Sequence, residues 1–300
     1  MRTVGRRIPR RMRRPTPFPP VVRDDERMTR YLVVPQWQGS PSSRAMQLID
    51  GAEAIAGDLP RSATTVLDVP MEAGEALETG VSRLSSLRRV REQLAATLAG
   101  HTEPVLTVGG DCGIALEPIA HAARSTADLA VVWLDAHPDL NTPESSPSGA
   151  FSGMVLRAVL GHGVDGLSLD AGTVRPERVV VAGARSFDEP ELSATAELGI
   201  TVLTVDALRR ADALADAVAA TGASGVFIHV DIDVLDPAEL AGNAHPEPFG
   251  ATVAEITAAI TAVRARMPLV GASLAGYSPA SLAAATDDLG AILRVVSVLA

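Results

Sequence analysis

Short apolar, β-branched runs alternate with alanine-rich segments of helical periodicity from Tyr31 to the end of the chain. Most runs are nearly continuous in hydrophobicity, as in residues 64–70 (TTVLDVP), 129–137 (LAVVWLDAH) and 225–236 (GVFIHVDIDVLD). Strands buried on both faces have this pattern, and helices between them make the strands parallel. The sequence therefore predicts a three-layer α/β/α fold, in which helices cover both faces of a parallel sheet of about eight strands.

The same reading places the other elements along the chain. Leucine and valine recur at spacings of three and four in residues 77–99, which predicts a helix there. The other predicted strands are 31–35, 104–111, 178–185, 200–206 and 268–276, and the other predicted helices are 114–124, 151–161, 188–198, 207–222, 252–266 and 279–299. No internal repeat interrupts this series, so we expect one domain over residues 31–300.

Charge is distributed unevenly along the 300 residues. All 26 basic residues are arginine, and ten of them lie in residues 1–30 together with five prolines, although the net charge of the whole chain is −10. A charge run of this kind usually marks solvated chain, so residues 1–30 are predicted to be a disordered basic tail. An arm that binds nucleic-acid phosphates is the alternative, but the acidic body argues against it.

Two function classes are excluded by composition. No apolar run approaches the roughly 18 residues of a membrane-spanning helix, so no membrane partner is expected. The single cysteine, Cys112, excludes an internal disulfide framework and suits a reducing cytoplasm.

Carboxylates and a histidine gather where two predicted strands end. Asp135, His137 and Asp139 occupy alternate positions, which points them the same way as the strand runs out. Asp231 and Asp233 repeat the arrangement after another strand, and ligands bind beyond the carboxyl ends of parallel strands. Clustered carboxylates repel each other, and the chain has no lysine to neutralise them. The pattern therefore predicts divalent metal ions, with manganese suited to oxygen ligands and one imidazole.

A plainer interpretation exists for single aspartates, which often cap a helix or a turn. For Asp111 and Asp236, taken one at a time, both interpretations stay open.

Three segments in this order resemble the motifs of the arginase/agmatinase (ureohydrolase) family: GGDC (109–112), DAHPDLNTPESSPSG (135–149) and DIDVLDP (231–237). The resemblance covers roughly residues 31–300 and implies an arginase/deacetylase-like fold. It implies a metal-dependent hydrolase of linear guanidino or amidino C–N bonds that uses a hydroxide bridging two divalent ions. Two Mn²⁺ per chain, a small guanidino or amidino substrate and a homo-oligomer of three or six chains are also implied.

The resemblance assigns the metal ligands residue by residue. Asp135 and Asp231 are expected to bridge both ions. Asp139 is expected at one ion, and His137 with Asp233 at the other.

Substrate contacts are implied in the same way, and here the segment is more similar to arginases than to agmatinases. Asn141 and Ser148 correspond to residues that hold the substrate α-carboxylate, and Asp188 corresponds to the acid that holds the α-amino group. By themselves, loop residues such as Asn141 and Ser148 are ordinary exposed turn formers.

Three positions depart from the family pattern. Cys112 stands where most members have a histidine ligand, so it is either a thiolate ligand that favours Zn²⁺, Fe²⁺ or Ni²⁺, or a buried thiol without a ligand role. Ser152 replaces a proton-shuttling histidine, for which His245 is a possible substitute. With Asp139, His245 is therefore a predicted catalytic residue. Gly276 replaces a glutamate that pairs with the guanidinium. These losses support an alternative function, a catalytically impaired member that binds metal or ligand without turnover.

Overall fold

The computed structural model describes residues 29–300, which form one parallel sheet of eight strands with helices on both faces. The strand order is β2-β1-β3-β8-β7-β4-β5-β6, and every neighbouring pair is parallel. The strands are β1 (Arg30–Val33), β2 (Thr64–Val66), β3 (Val105–Val108), β4 (Leu129–Leu134), β5 (Val179–Ala182), β6 (Thr201–Leu203), β7 (Gly225–Asp231) and β8 (Leu269–Ala275). The prediction of a three-layer fold with about eight parallel strands is confirmed.

Helices form the two outer layers. They are α1 (Gln47–Asp58), α2 (Leu84–Leu98), α3 (Leu116–Ser125), α4 (Val155–Val159), α5 (Glu189–Leu198), α6 (Val205–Leu208), α7 (Ala211–Ala220), α8 (Val253–Arg264) and α9 (Leu282–Leu299). Side chains of α2 to α5 share one apolar core with the sheet, and those of α1 and α6 to α9 share the other. None of the helices within residues 29–300 is long and apolar enough to cross a membrane.

Several boundaries differ from the sequence prediction. Helix α1 was not predicted, although Leu48, Ala52 and Ile55 bury one face of it at spacings of three and four. The helix predicted from residue 77 begins at Leu84, which follows an arginine in the left-handed region. Residues 1–28 of the predicted basic tail lie outside the described residues, and Arg30 belongs to strand β1.

Two predicted strands end earlier than their apolar runs. β4 stops at Leu134, and β7 stops at Asp231, after which a short 3-10 helix covers Ile232–Val234. In both places an aspartate carboxylate accepts a hydrogen bond from the backbone two residues later, which turns the chain away from the sheet. The strand order places β3, β8, β7 and β4 side by side, so their carboxyl ends meet in one crevice.

Candidate metal centre and substrate cavity

The loop after β4 brings three predicted site residues to the crevice. Asp135 accepts a hydrogen bond at Oδ1 from the N–H of His137 (2.7 Å). Asp139 has a φ of 52°, a left-handed conformation that no strand residue adopts. The expectation that strand alternation aligns Asp135, His137 and Asp139 is therefore wrong in its cause: a tight loop, rather than a continuing strand, brings them together.

The end of β7 meets this loop directly. Asp231 Oδ1 accepts from the N–H of Asp233 (2.9 Å), and Asp233 Oδ1 accepts from the N–H of Ala136 (2.9 Å). Asp233 Oδ2 lies 2.9 Å from His137 Nδ1. The two acidic segments, which are almost 100 residues apart in sequence, thus form one hydrogen-bonded cluster.

The cluster brings more carboxyl groups together than the nearby cationic side chains could neutralise. Burial, followed by repulsion from Asp233, raises the pKa of Asp231 to about 7. Burial also raises the pKa of Asp135 and that of Asp139 well above the usual range. Asp139 Oδ2 is buried and has no hydrogen-bond partner within residues 29–300. Buried carboxylates in this state are costly unless a cation joins them.

His137 is the nearest cationic group. Burial opposes a charge on its ring, but hydrogen bonds to Asp135 and Asp233 outweigh burial and raise the pKa of His137 to about 12. Nδ1 lies 3.4 Å from Asp135 Oδ1 as well as 2.9 Å from Asp233 Oδ2. One ligand atom from each of these three residues lies within 4.8 Å of the others, a spacing that fits a shared metal ion.

The GGDC turn contributes one structural and one inward-facing residue. The Asp111 carboxylate accepts three hydrogen bonds, from Gln36 Nε2 (2.9 Å), the N–H of Gly113 (2.9 Å) and the N–H of Gly39 (2.8 Å). Of the two interpretations left open for Asp111, this geometry favours the cap.

Cys112 instead faces the cluster. Its Sγ lies 2.9 Å from Asp231 Oδ2 and 3.8 Å from Asp135 Oδ2, and only 5% of the residue is exposed. Burial, with nearby carboxylates, raises the pKa of the Cys112 thiol well above its usual range. A cation bound between the sulfur and the carboxylates would reverse that effect, because metal coordination favours the thiolate.

Above the cluster opens a cavity of about 190 Å³. At its mouth Asn141 Nδ2 donates to Asp188 Oδ2 (2.8 Å). Asn141 is only 4% exposed, so its description as an exposed turn former is wrong: its amide is fixed between Asp188 and the Ser145 hydroxyl. Ser148 is exposed on the rim, where its Oγ accepts from the N–H of Ala150 (3.2 Å).

The positions that depart from the family pattern also lie in this cavity. Ser152 and His245 both line it, and the His245 ring centroid is 6.4 Å from that of His137. His245 Nε2 is buried with no hydrogen-bond partner in the described part of the chain.

Gly276 closes the cavity beside Asp231. Its φ is 86°, and a Cβ built on it would lie 2.1 Å from Asp231 Oδ1. A side chain therefore does not fit on this backbone. The glycine permits the close approach of backbone and carboxylate, so it is more than a truncated glutamate.

Sequence reasoning placed Arg185 at a strand end facing the crevice, but it missed the role of that residue and of two others that shape the site. Glu191 accepts from the N–H groups of Leu140 (3.0 Å) and Asp188 (2.9 Å), and the signal was the D-x-x-E spacing of a capping box. The Arg185 guanidinium donates to backbone carbonyls on both sides of the His245 loop, among them those of Asp233 (2.8 Å) and Glu247 (2.7 Å). His229 lies beneath the cluster, and the signal was its position two residues before Asp231 on the same face of β7.

Comparison with known proteins agrees with this geometry. The Arginase family pattern matches residues 44–298. A curated arginase of Bacillus caldovelox is 37% identical over 203 residues, which cover 63% of this chain and 68% of that protein. Two further curated arginases are matched over only 58% and 50% of their own length.

Solved structures match over nearly the whole fold. The crystal structure of arginase from Bacillus subtilis is 26% identical with a TM-score of 0.76, and the match covers 91% of this chain and 98% of that one. The structure of Entamoeba histolytica arginase in complex with L-ornithine has a TM-score of 0.79 at 23% identity, with 91% and 99% of the two chains covered. At that identity the second match shows the fold alone.

Proposed function

This chain belongs to the arginase family, and from that premise we propose that it is a metal-dependent hydrolase of linear guanidino or amidino C–N bonds, with residues 31–300 as its catalytic domain. One observation carries the proposal: a buried cluster of acidic and metal-binding side chains forms the floor of a cavity that holds polar substrate-binding groups at its mouth. Neither half alone would indicate hydrolysis. Together they support it, because a substrate bound at the mouth would extend toward side chains that could hold water-activating ions.

The residues present fit divalent cations. Asp139 has a buried oxygen without a partner in the described chain, and burial, with repulsion from Asp233, raises the pKa of Asp135 and that of Asp231. By the family resemblance, Asp135 and Asp231 would contribute to both ion sites. Asp139 and Cys112 would help to hold one ion, and His137 and Asp233 would help to hold the other.

When bound, two such ions supply activation of water and stabilisation of the charge that develops on the attacked carbon's substituents. The family resemblance favours Mn²⁺ at both positions, and the Cys112 sulfur favours a softer ion at one of them.

The chain's own side chains supply orientation and proton transfer. Asn141, Ser148 and Asp188 at the mouth would bind the polar end of the substrate, with the Asp188 carboxylate attracting an amino group. His245 is the proposed proton donor to the leaving amine, because its Nε2 is a cavity group without a partner in residues 29–300. Arg185 keeps this histidine in place through the loop carbonyls that it binds.

Turnover by the purified full chain tests this function. The protein is loaded separately with Mn²⁺, Zn²⁺, Fe²⁺ or Ni²⁺, its metal content is measured by mass spectrometry, and urea or ammonia release is followed over a panel of guanidino and amidino compounds. We expect release from at least one compound with at least one metal. A fully loaded protein that hydrolyses none of them would refute the proposal.

A second function has specific support at the guanidinium end of the cavity. Ser152 offers no group that titrates near neutral pH, and Gly276 offers no carboxylate. A family member that binds metal or ligand without turnover would have this site. It predicts that guanidino compounds bind the metal-loaded protein in calorimetry while urea release stays at the level of the buffer.

Assembly and location complete the proposal. By family resemblance we propose a homo-oligomer of three or six chains in the cytoplasm, where the Cys112 thiol stays reduced. Light scattering on the eluting protein measures the number of chains, and a monomer would contradict this part.

A further inference from the structure

A buried histidine lies directly below the carboxylate cluster. His229 is in β7, two residues before Asp231 on the same face of the sheet, and it pairs in register with Trp133 of β4 and Ser273 of β8. Its ring stacks on that of Trp133, with centroids 3.8 Å apart and planes 28° from parallel. Nδ1 lies 2.8 Å from Ser273 Oγ. Two neighbouring strands therefore fix both the position and the rotation of the ring.

The other ring nitrogen of His229, Nε2, has no hydrogen-bond partner among residues 29–300, although the residue is completely buried. Leaving such a group unpaired destabilises a folded protein, so a buried nitrogen of this kind requires an explanation. A histidine whose opposite nitrogen is held by an oxygen, as Ser273 holds Nδ1, has the usual arrangement of a metal ligand.

Two other ligand groups lie within reach of this ring. One ligand atom each from Cys112, Asp135 and His229 lies within 4.8 Å of the others, and all three residues are buried. The Cys112 sulfur also lies 2.9 Å from Asp231 Oδ2. A sulfur, an imidazole nitrogen and a carboxylate oxygen, contributed by the GGDC turn and the ends of β7 and β4, thus lie close together, with Asp231 against the sulfur.

We propose that His229 is a metal ligand through Nε2, that it binds the same ion as Cys112, Asp135 and Asp231, and that this donor set selects Zn²⁺ over Mn²⁺ at that position. The inference deepens the proposed metal-dependent function and rests on it, because both use Asp135 and Asp231. Position 229 would restore the imidazole that the family pattern has at position 112, where this chain has a cysteine.

The chemistry of the donors determines the metal preference. Thiolate and imidazole together at one ion are typical of zinc, whereas manganese prefers oxygen ligands and binds such sites more weakly. At the neighbouring position, His137 with Asp233 and the shared carboxylates remains mostly an oxygen site. The protein would therefore hold two unlike ions.

A cobalt(II) titration of the chelator-treated full chain tests the ligands without relying on activity. We expect a sulfur-to-cobalt charge-transfer band together with the visible bands of cobalt bound to nitrogen and oxygen ligands. Cys112→Ser should abolish the charge-transfer band. His229→Phe, which keeps an aromatic ring on Trp133, should weaken cobalt binding at this position at least about tenfold and reduce the visible bands. The matched control His162→Phe, at an exposed histidine, should change neither.

One result overturns the proposal outright. If folded His229→Phe binds cobalt with the affinity and spectrum of the wild type, His229 is not a ligand. If that variant fails to fold, X-ray absorption of a His137→Ala variant with one equivalent of Zn²⁺ replaces it. We expect one sulfur at about 2.3 Å and an imidazole, and sulfur without imidazole refutes the ligand role.

These outcomes separate the inference from the proposed function. A sulfur- and imidazole-bound ion in a protein that hydrolyses no guanidino compound supports the ligand set and refutes the hydrolase. Turnover together with an unchanged His229→Phe spectrum supports the hydrolase and refutes the ligand role.

Discussion

The floor and the mouth of the cavity are built in different ways. On the floor, the carboxylates are buried and held by backbone N–H groups: Asp135 by that of His137, and Asp231 by that of Asp233. At the mouth, Asn141 and Asp188 are held mainly by each other, and the rim is partly exposed. The floor is fixed by the ends of the strands, whereas the mouth depends on loop side chains.

The departures from the family pattern follow this division. Cys112 on the floor exchanges one metal-binding atom for another, since its sulfur still lies against Asp231. Ser152 and Gly276, in the space above, stand where the family pattern has a titratable histidine and a carboxylate. The difference teaches that side chains able to bind metal are retained more fully in this chain than the groups that the family pattern has for a guanidinium. Each prediction below tests one side of that contrast.

The largest effect is expected for Asp139→Asn on the floor. The substitution removes the carboxylate oxygen that has no partner in residues 29–300, and asparagine tolerates the left-handed backbone at this position. Metal content should fall, and turnover should drop more than about 100-fold, beyond the usual cost of losing an outer partner of a ligand. Mass spectrometry and urea release measure the two quantities.

The same variant makes an opposite prediction for stability. Without metal and near neutral pH, Asp139→Asn should unfold at a higher temperature than the wild type. Burial raises the pKa of Asp139 well above its usual range, so the folded chain must bury this carboxyl at a cost that asparagine avoids. Asp287→Asn on the exposed side of α9 serves as the control and should change neither property. Unchanged metal content together with a lower unfolding temperature would contradict the role of Asp139.

Gly276→Ala tests the close approach of the Gly276 backbone to the Asp231 carboxylate. Its Cβ would lie 2.1 Å from Asp231 Oδ1, so the carboxylate must move. We expect about tenfold or more weaker metal binding, in addition to the roughly 1–2 kcal/mol cost of a left-handed alanine. Gly276→Glu should behave the same way rather than restore a guanidinium contact.

The matched control is Gly199→Ala at the end of α5. Gly199 also has a positive φ (66°), but nothing lies within 4 Å of its Cβ position. Gly199→Ala should lower the unfolding temperature, because alanine is strained at a positive φ, and should leave the metal affinity unchanged. Equal effects at Gly276 and Gly199 would show that contact with Asp231 is unimportant.

The two regions also differ in how far sequence could predict them. The eight strands and the meeting of Asp135 with Asp231 followed from apolar runs and from acids at strand ends, which are local patterns. The burial of Asn141 and the contact of Gly276 with Asp231 depend on loops from separate parts of the chain. No periodicity encodes such contacts.

The same limit explains the missed elements. Helix α1 contains two glycines, which weaken a helix, and its apolar face packs against the sheet and α9. His229 was visible in the sequence next to Asp231, but an unpaired Nε2 is a property of the packed core.

A moderate effect is expected for Asp188→Asn at the mouth. Loss of a charged hydrogen-bond partner costs about 1.5–3 kcal/mol, so KM for substrates with an α-amino group should rise by roughly tenfold or more, while kcat changes little. Substrates without that amino group should be unaffected. Glu189→Gln, at the exposed neighbouring position, is the control. A fall in kcat at unchanged KM would place Asp188 in the chemistry rather than in binding.

The smallest effect is expected for pH on the metal-free protein. Burial raises the pKa of Asp111 to about 6 and that of Asp231 to about 7, above their values in the unfolded chain. The folded state therefore binds these protons more tightly, and their stabilising contribution, present below about pH 4, is lost as pH rises to about 7. The unfolding midpoint in chelator should fall by several degrees over this interval.

Metal reverses the sign of that dependence, because ions bind the deprotonated ligands and their affinity grows with pH. The difference in unfolding midpoint between loaded and metal-free protein should therefore widen from pH 4 to pH 7, as scanning calorimetry of both forms would show. Both carboxylate oxygens of Asp111 accept hydrogen bonds from the loop, so Asp111 affects the pH dependence of unfolding but not metal affinity. Asp231 affects both quantities. If the difference in unfolding midpoint stays constant from pH 4 to pH 7, the buried carboxylates of the floor do not bind the ion. The contrast between a metal-binding floor and a substrate-binding mouth would then be wrong for the floor.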